Sequence, residues 1–458
     1  MDRTSYADSA VAGLIAERFV PIRVDADRRP DISSRYTLGG WPTTAFLNAH
    51  GEILGGGTFV GIDRLPSVLQ RVVDAVVGAA GDAASPGLGH IRGAGQDSGN
   101  GGDDVHRQET VAVDDIEAAV FGTYDAHDGT FGGVPRFPHP APIHLALAHA
   151  RADRDSPYAE MATTCLDAMG WGGLYDEVDG GFFRYANESD WTRPQSEKLL
   201  DVNASLLVLY LDGFETLNLA RYAERAADVL GYVQQTLADV QDGGWAASQQ
   251  EAPEYYELAD ARARAVRPAP PVDSTLLSAA NATMVSAALR AARVFSDDGL
   301  RTFALRSLER VVLRHYRPGG GVAHCIEGDQ EVRGLVDDQI AMASAHLDAF
   351  DVTGDIVYEM MAEELARQAV IACRDERGGG FFDRASDAHD VGLLRHPLKP
   401  FVVNCEAARM LRRLAAVSGD NEFAGLADET LRAVAAQAAA QGPLAAHYVL
   451  AVREAGVK

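Results

Sequence analysis

Asp179-Gly180-Gly181-Phe182-Phe183-Arg184-Tyr185 holds one of five glycine doublets that lie against an aromatic or apolar residue. The others are Phe131-Gly132-Gly133, Gly243-Gly244-Trp245, Gly319-Gly320-Gly321-Val322 and Gly379-Gly380-Phe381. Their first glycines are 48, 63, 76 and 60 residues apart, each about the length of two helices plus their loops. Asp128, Asp179, Asp242 and Asp375 lie within five residues upstream of four of them. Glycine is needed where the backbone turns with positive φ or approaches another chain closely. Helical hairpins joined by such turns predict a toroid whose turns gather at one rim.

Working outward, apolar periodicity predicts twelve helices, near 112–124, 140–151, 157–171, 197–218, 220–239, 274–296, 298–316, 335–352, 355–374, 402–418, 421–441 and 443–455. Six hairpins give a mainly α protein with an (α/α)6 toroid over 109–458. An open solenoid is disfavoured because the hairpin lengths are uneven. Residues 79–108, rich in Gly, Ala, Asp and Ser, read as a linker. Before it, 1–78 reads as a small α/β unit: a helix at Asp8–Arg18, a strand at Phe19–Val24, a helix at Ile32–Leu38, strands at Thr43–Asn48 and Glu52–Gly57, and a closing helix at Ile62–Val77. Trp41-Pro42 before the second strand suggests a cis proline.

The net charge is −25, and the 41 basic residues include only three lysines, Lys198, Lys399 and Lys458. A dispersed acidic surface disfavours nucleic acid and anionic membrane as partners. Acid excess with Arg in place of Lys suggests a halophilic protein, so stability is expected to rise between low and molar KCl as salt screens self-repulsion. A melting temperature that stays flat across that range overturns this expectation. Apolar runs are too short to span a bilayer, and the polar start MDRTSYADSA reads as lacking a secretory leader, so a cytoplasmic location is expected. Cys165, Cys325, Cys373 and Cys405 form no Cys-x-x-Cys, which argues against a disulfide scaffold or a zinc site; no metal and no cofactor are expected.

Longer motifs carry a resemblance. Ala16–Asp31 followed by Gly39-Gly40-Trp41-Pro42 resembles the thioredoxin-like domain of the spermatogenesis-associated protein 20 family. Gly132-Gly133-Val134-Pro135-Arg136-Phe137-Pro138, Gly172–Asp176, Gly180–Tyr185, Trp191, Pro194, Glu197–Leu200, Asn203-Ala204, Asp337-Asp338 and Gly379–Asp383 continue it along the chain. The resemblance implies a partial thioredoxin-like domain and a six-hairpin, glycosidase-like toroid. Departures occur where the family has His-Phe-Glu-Lys and Pro-Ser-Gly-Asn-Ser; here these read Gln195-Ser196-Glu197-Lys198 and Phe401-Val402-Val403-Asn404-Cys405. The family also implies a strand and a Cys-x-x-Cys-His helix ahead of the segment matching Asp2–Phe19, so an upstream segment is expected, opposite Trp41 and Pro42.

Candidate catalytic carboxylates are Glu197, Asp337 and Asp338, since paired carboxylates perform glycosidase-type acid/base work. Tyr175, Arg184, Tyr185, Trp191, Lys198, Asn203, Trp245, Asn281, Phe382 and Asn404 are the candidate substrate-binding groups, offering stacking faces and hydrogen bonds to a small sugar. His324, His346 and His396 are candidates for imidazole-mediated proton transfer. A sugar-active enzyme, a thiol-disulfide oxidoreductase that depends on the upstream cysteines, and a degraded binding or scaffold protein are the three functional readings.

Overall fold

The computed structural model describes Met1, residues 4–79 and residues 112–456. The chain divides into two compact units, Met1–Arg107 with Ser386–Pro397, and Gln108–Ala385 with Leu398–Lys458. Residues 80–108 of the expected linker lie outside the described residues.

In the smaller unit, α1 (Ser9–Arg18) is capped by Asp8, whose carboxylate accepts from the amides of Ala10 and Val11. Helix α2 (Pro30–Tyr36), the antiparallel pair β1 (Thr44–Leu47) and β2 (Ile53–Gly57), and α3 (Leu65–Ala79) follow. Val11, Leu65 and Leu69 form its core, with Phe19 and Phe46 packed against them. The Trp41–Pro42 bond is cis, and both residues are exposed. The expected strand over Phe19–Val24 is not formed. Strand structure requires a partner for its N–H and C=O groups, and among the described residues no strand pairs with this segment. Val20 and Ile22 are exposed, and Asp25 ends the segment by accepting from the amides of Asp27 and Arg28.

The larger unit contains the twelve expected helices: α4 (Val113–Phe121), α5 (Pro140–Ala152), α6 (Pro157–Gly170), α7 (Leu200–Leu217), α8 (Ala220–Tyr232), then two short excursion helices, α9 (Pro253–Tyr256) and α10 (Ala261–Ala265), followed by α11 (Ser278–Phe295), α12 (Asp298–His315), α13 (Val336–Thr353), α14 (Ile356–Cys373), α15 (Phe401–Ser418), α16 (Asn421–Ala438) and α17 (Ala446–Gly456). Helices α5, α7, α11, α13, α15 and α17 each pack on the next, and α17 returns to α5, closing an inner ring. Helices α6, α8, α12, α14 and α16 back the inner helices they follow, while α4 backs α17. This is an (α/α)6 toroid. Inner helices pass to outer ones through tight turns with left-handed residues at Asn218, Ser296, Gly354 and Gly419. The long connections all lead into the N-terminal ends of inner helices, which makes that rim the place where loops can build a site.

One side-chain device repeats at this rim. The fourth residue of α7, α11, α13 and α15 is an amide: Asn203, Asn281, Gln339 and Asn404. Each accepts from the amide of the residue after a glycine doublet, at 2.7 to 2.8 Å for Phe182, Trp245, Val322 and Phe381. Each donates back to that residue's carbonyl and to the carbonyl preceding its own helix. The clamp closes a turn whose glycines have positive φ, for example 78° at Gly180 and 81° at Gly181. It also draws the following side chain inward: Phe182, Trp245, Val322 and Phe381 are at most 1% exposed. Asn281→Ala removes the clamp and leaves the buried Trp245 amide without its partner. We expect a loss of about 1–3 kcal/mol, read by urea unfolding; a loss below about 0.5 kcal/mol would show the amide to be dispensable.

Candidate active site in the toroid lumen

An inner helix is flanked by two neighbours and backed by an outer helix, so only its lumen face stays accessible. On α7 the residues that are not fully buried include Asp201, Ser205, Val208, Asp212 and Glu215, spaced four and three apart as one helical stripe. The corresponding stripe on α13 starts at Asp337 and includes Ala341, Ser344 and Asp348.

At the deep end, where the inner helices finish, the stripes are sealed by ion pairs. Asp212 meets His144, Arg151 and Arg290; Glu215 meets Arg290 and Arg293; Arg413 bridges Asp348 and Asp351. Burial raises the Asp212 carboxyl, but His144 and Arg290 outweigh it and hold the group well below the usual carboxylate range.

The N-terminal end is different. Asp337, second residue of α13, is solvent-accessible, yet protein surrounds it, as befits a lumen residue. Among the described residues it has no hydrogen-bond or ion-pair partner. Burial, the neighbouring Asp338 and, more weakly, Asp201 and Glu406 push its carboxyl up to about 6, against a smaller opposing pull from His324. Asp338 points the other way, into the wall: it is 0% exposed, accepts from the Ala279 amide at 3.1 Å, and holds His324 Nδ1 at 3.0 Å. Glu406, on the lumen stripe of α15, accepts from His447 Nδ1 at 2.7 Å and from Arg409. Burial raises Glu406, but Arg409 and His447 overcome it and hold the carboxyl at about 2. His139, the N-cap of α5, lies in the field of His447; burial first, and then that neighbour, pull its imidazole down to about 4. The lumen therefore places a carboxyl that titrates near neutrality beside a permanently ionised one that orients an imidazole. Environments that push two carboxyls apart in this way separate acid from base roles.

The residues singled out in the sequence divide into two groups. Asp337 reaches the lumen, whereas Asp338 lies in the wall bonded to His324. Glu197 and Arg184 form a half-buried ion pair at 3.0 Å in the connection entering α7, the part-exposed Tyr185 ring lies tilted against Phe137, and Phe382 is half-buried with its ring 5.6 Å from Lys399 Nζ. The second group lies inside the wall. Asn203, Asn281 and Asn404 spend their amides on the turn clamps. Trp245 is packed edge-on against Phe303, and Tyr175 lies under the Arg225 guanidinium at 3.6 Å. Trp191 is 2% exposed and donates its indole N–H to the Asp128 carbonyl. Lys198 is completely buried against Asp176. Of the histidine candidates, His346 is buried against its own helix backbone, donating Nδ1–H to the Met342 carbonyl at 2.7 Å, and the His396 carbonyl accepts from Arg35. Sequence reading missed Asp201, Glu406, His447 and His139. The amide register carries a signal for the first: Asp201 and Asp337 both stand two residues before a clamping amide.

All four cysteines are buried and free; burial pushes the thiols of Cys165, Cys373 and Cys405 far up, Cys373 to about 12. Among the described residues no group of three or more His, Cys, Asp or Glu side chains has metal-holding geometry. No helix among them is long and apolar enough to cross a membrane.

Residues 1–78 match the family model Thioredox_DsbH, described as a protein of unknown function, DUF255. Spermatogenesis-associated protein 20 from Mus musculus is 27% identical over 289 residues, covering 55% of this chain and 35% of the mouse protein. An uncharacterized Caenorhabditis elegans protein is 27% identical over 269 residues, covering 54% of this chain and 36% of its own. Both alignments are too long to lie within the first 78 residues, and each spans about a third of the relative's own length. Among solved structures, cellobiose 2-epimerase from Bacillus thermoamylovorans superposes with a TM-score of 0.55 at 11% identity, covering 70% of this chain and 86% of that one. A family 76 glycoside hydrolase (mannosidase) from Bacteroides thetaiotaomicron gives 0.53 at 11%, covering 75% and 97%. At such identity these likenesses show the toroid fold alone.

Proposed function

We propose that this relative of spermatogenesis-associated protein 20 binds a small sugar in the toroid lumen and moves a proton on it through Asp337. The observation that carries the reading is the Asp337 carboxyl: lumen-facing, hydrogen-bonded to no described residue, and poised near 6. A group in that state gives or takes a proton at neutral pH, whereas a structural carboxylate is paired. His447, oriented by Glu406, supplies a further imidazole at the same space, while His324 stays buried in the wall against Asp338. This donor set suits proton transfer next to a sugar carbonyl or protonation of a glycosidic oxygen. The neighbouring folds named as an epimerase and a mannosidase support the substrate class, by analogy of fold.

The test is a panel of mono- and disaccharides added to the intact protein, followed by thermal melting. A ligand at about a hundred times its Kd adds roughly 2.7 kcal/mol of apparent stability, so a rise in melting temperature with at least one sugar is the expected result. A flat response across the panel overturns the reading and favours a scaffold role.

A further inference from the structure

We infer that Phe137 and Tyr185 form an aromatic subsite at the mouth of the lumen, which receives the second ring of a disaccharide whose first ring lies at Asp337. This rests on the sugar reading above and names its substrate class. Phe137 is 43% exposed. Its ring centroid lies 4.8 Å from that of Tyr185, which is itself part-exposed. Phe137 belongs to the connection entering inner helix α5 and Tyr185 to the one entering α7, so both stand at the rim. Phe137 also neighbours His139, with ring centroids 6.5 Å apart, and His139 lies in the field of the lumen residue His447.

Phe137 is exposed and Tyr185 part-exposed, and both are placed by buried anchors. Arg136, 5% exposed, fixes the loop of Phe137 by donating to Asp125, Asp128 and the carbonyls of Gly132 and Ser189. Tyr185 pairs with Gln195 in a short hairpin whose end is pinned by buried Trp191. Trp191 and Arg193 adopt left-handed backbone, φ 65° and 52°, a cost that persists only when surrounding contacts over-determine it. Arg136 also bridges the two loops, since its backbone pairs with Ala186. Core packing does not require two rings to be held at the surface in this way. Arg184, next to Tyr185 in the chain, forms with Glu197 an ion pair at the same connection that offers donors and acceptors. An apolar face edged by a charged pair matches a pyranose, which presents C–H groups on one face and hydroxyls around its rim.

The test is calorimetric binding of glucose and mannose against cellobiose and mannobiose, with the wild-type protein, Phe137→Leu/Tyr185→Leu, and Asp337→Asn. Leucine keeps apolar bulk and removes the flat face, and circular dichroism checks folding. We expect the wild type to bind one disaccharide about tenfold tighter than its monosaccharide. The double leucine variant should lose that preference with monosaccharide affinity unchanged to within about twofold. A preference that survives the leucines, an equal loss for both sugar sizes, or monosaccharide binding with no disaccharide preference overturns the subsite while leaving the lumen reading intact. Binding of neither size to the wild type overturns both.

Discussion

Lys198→Met is expected to cost about 3–5 kcal/mol of folding stability, the range for breaking a buried ion pair from one side. Lys198 is 0% exposed and its partner Asp176 is 2% exposed at the side chain. The ammonium donates to Asp176 at 2.7 Å and to the Gly180 carbonyl at 2.6 Å. The rings of Phe183, Tyr232 and Tyr256 surround it at 5.2, 4.6 and 4.8 Å. Burial pulls its pKa down to about 8, against the opposing pull of Asp176, so it stays charged at neutral pH. Arg264 completes the network by donating to Asp176 and Asp179 and to the carbonyls of Leu258 and Tyr256, which ties the excursion carrying α9 and α10 to the turn. Methionine keeps the volume but leaves the Gly180 carbonyl unpaired and Asp176 with one cation instead of two. The same turn recurs at Lys399, which donates to Asp375 at 2.9 Å and to the Gly379 carbonyl at 2.5 Å. That pair is part-exposed, 17% and 20%, so Lys399→Met should cost only about 1 kcal/mol. Urea unfolding of both variants checks the contrast. Equal losses, or a loss below about 1 kcal/mol at Lys198, would show that burial does not set the strength of this turn.

These turns explain what was readable beforehand. The twelve helices were legible because their apolar period and the glycine doublets are local signals. The aspartates noted upstream of the doublets were only partly the operative ones. The structure uses Asp176, Asp239 and Asp375, four residues before the first glycine, each bound to a cation that also donates to that glycine's carbonyl: Lys198, Arg310 and Lys399. An aromatic beside two glycines offers a flat apolar face, and Trp245 reads from the sequence as a stacking group for a sugar. The aromatic is buried at Phe182, Trp245 and Phe381 because an amide one connection later in the chain pulls its backbone in. The strand at Phe19–Val24 failed for a related reason: its character depends on a neighbour, and sequence shows only the segment itself. Asp337-Asp338 stood out as an acidic pair, but which member faces the lumen depends on the register fixed by Gln339. Glu406, His447 and His139 come together only when α15, α17 and α5 close the ring, so no short motif announces them.

If the toroid turns over a sugar as proposed, Asp337→Asn is expected to abolish that turnover, and in any case to make the protein more stable at alkaline pH. Removing a positioned acid/base group costs about 10²–10⁴-fold in rate, and the wild-type rate should turn over near pH 6, where the carboxyl titrates. The stability effect follows from linkage. The folded carboxyl titrates at about 6, above its ordinary value of 3.8, so the folded state binds the proton more tightly than the unfolded chain does. That contribution is fully present below about pH 4 and is lost as pH rises through 6, leaving at pH 8 an ionised group that the fold disfavours. Asparagine carries no such charge. For a fully enclosed carboxyl the gain would approach about 3 kcal/mol; solvent in the lumen screens it to about 1 kcal/mol. Thermal melts at pH 8 and pH 4 should therefore separate variant from wild type at the higher pH and bring them together at the lower. A structural carboxylate gives the opposite sign, because its loss destabilises the fold most where it is ionised. If the asparagine variant is less stable than wild type at pH 8, Asp337 has a partner that holds it charged, and its role as the proton-transfer group in the lumen falls with that result.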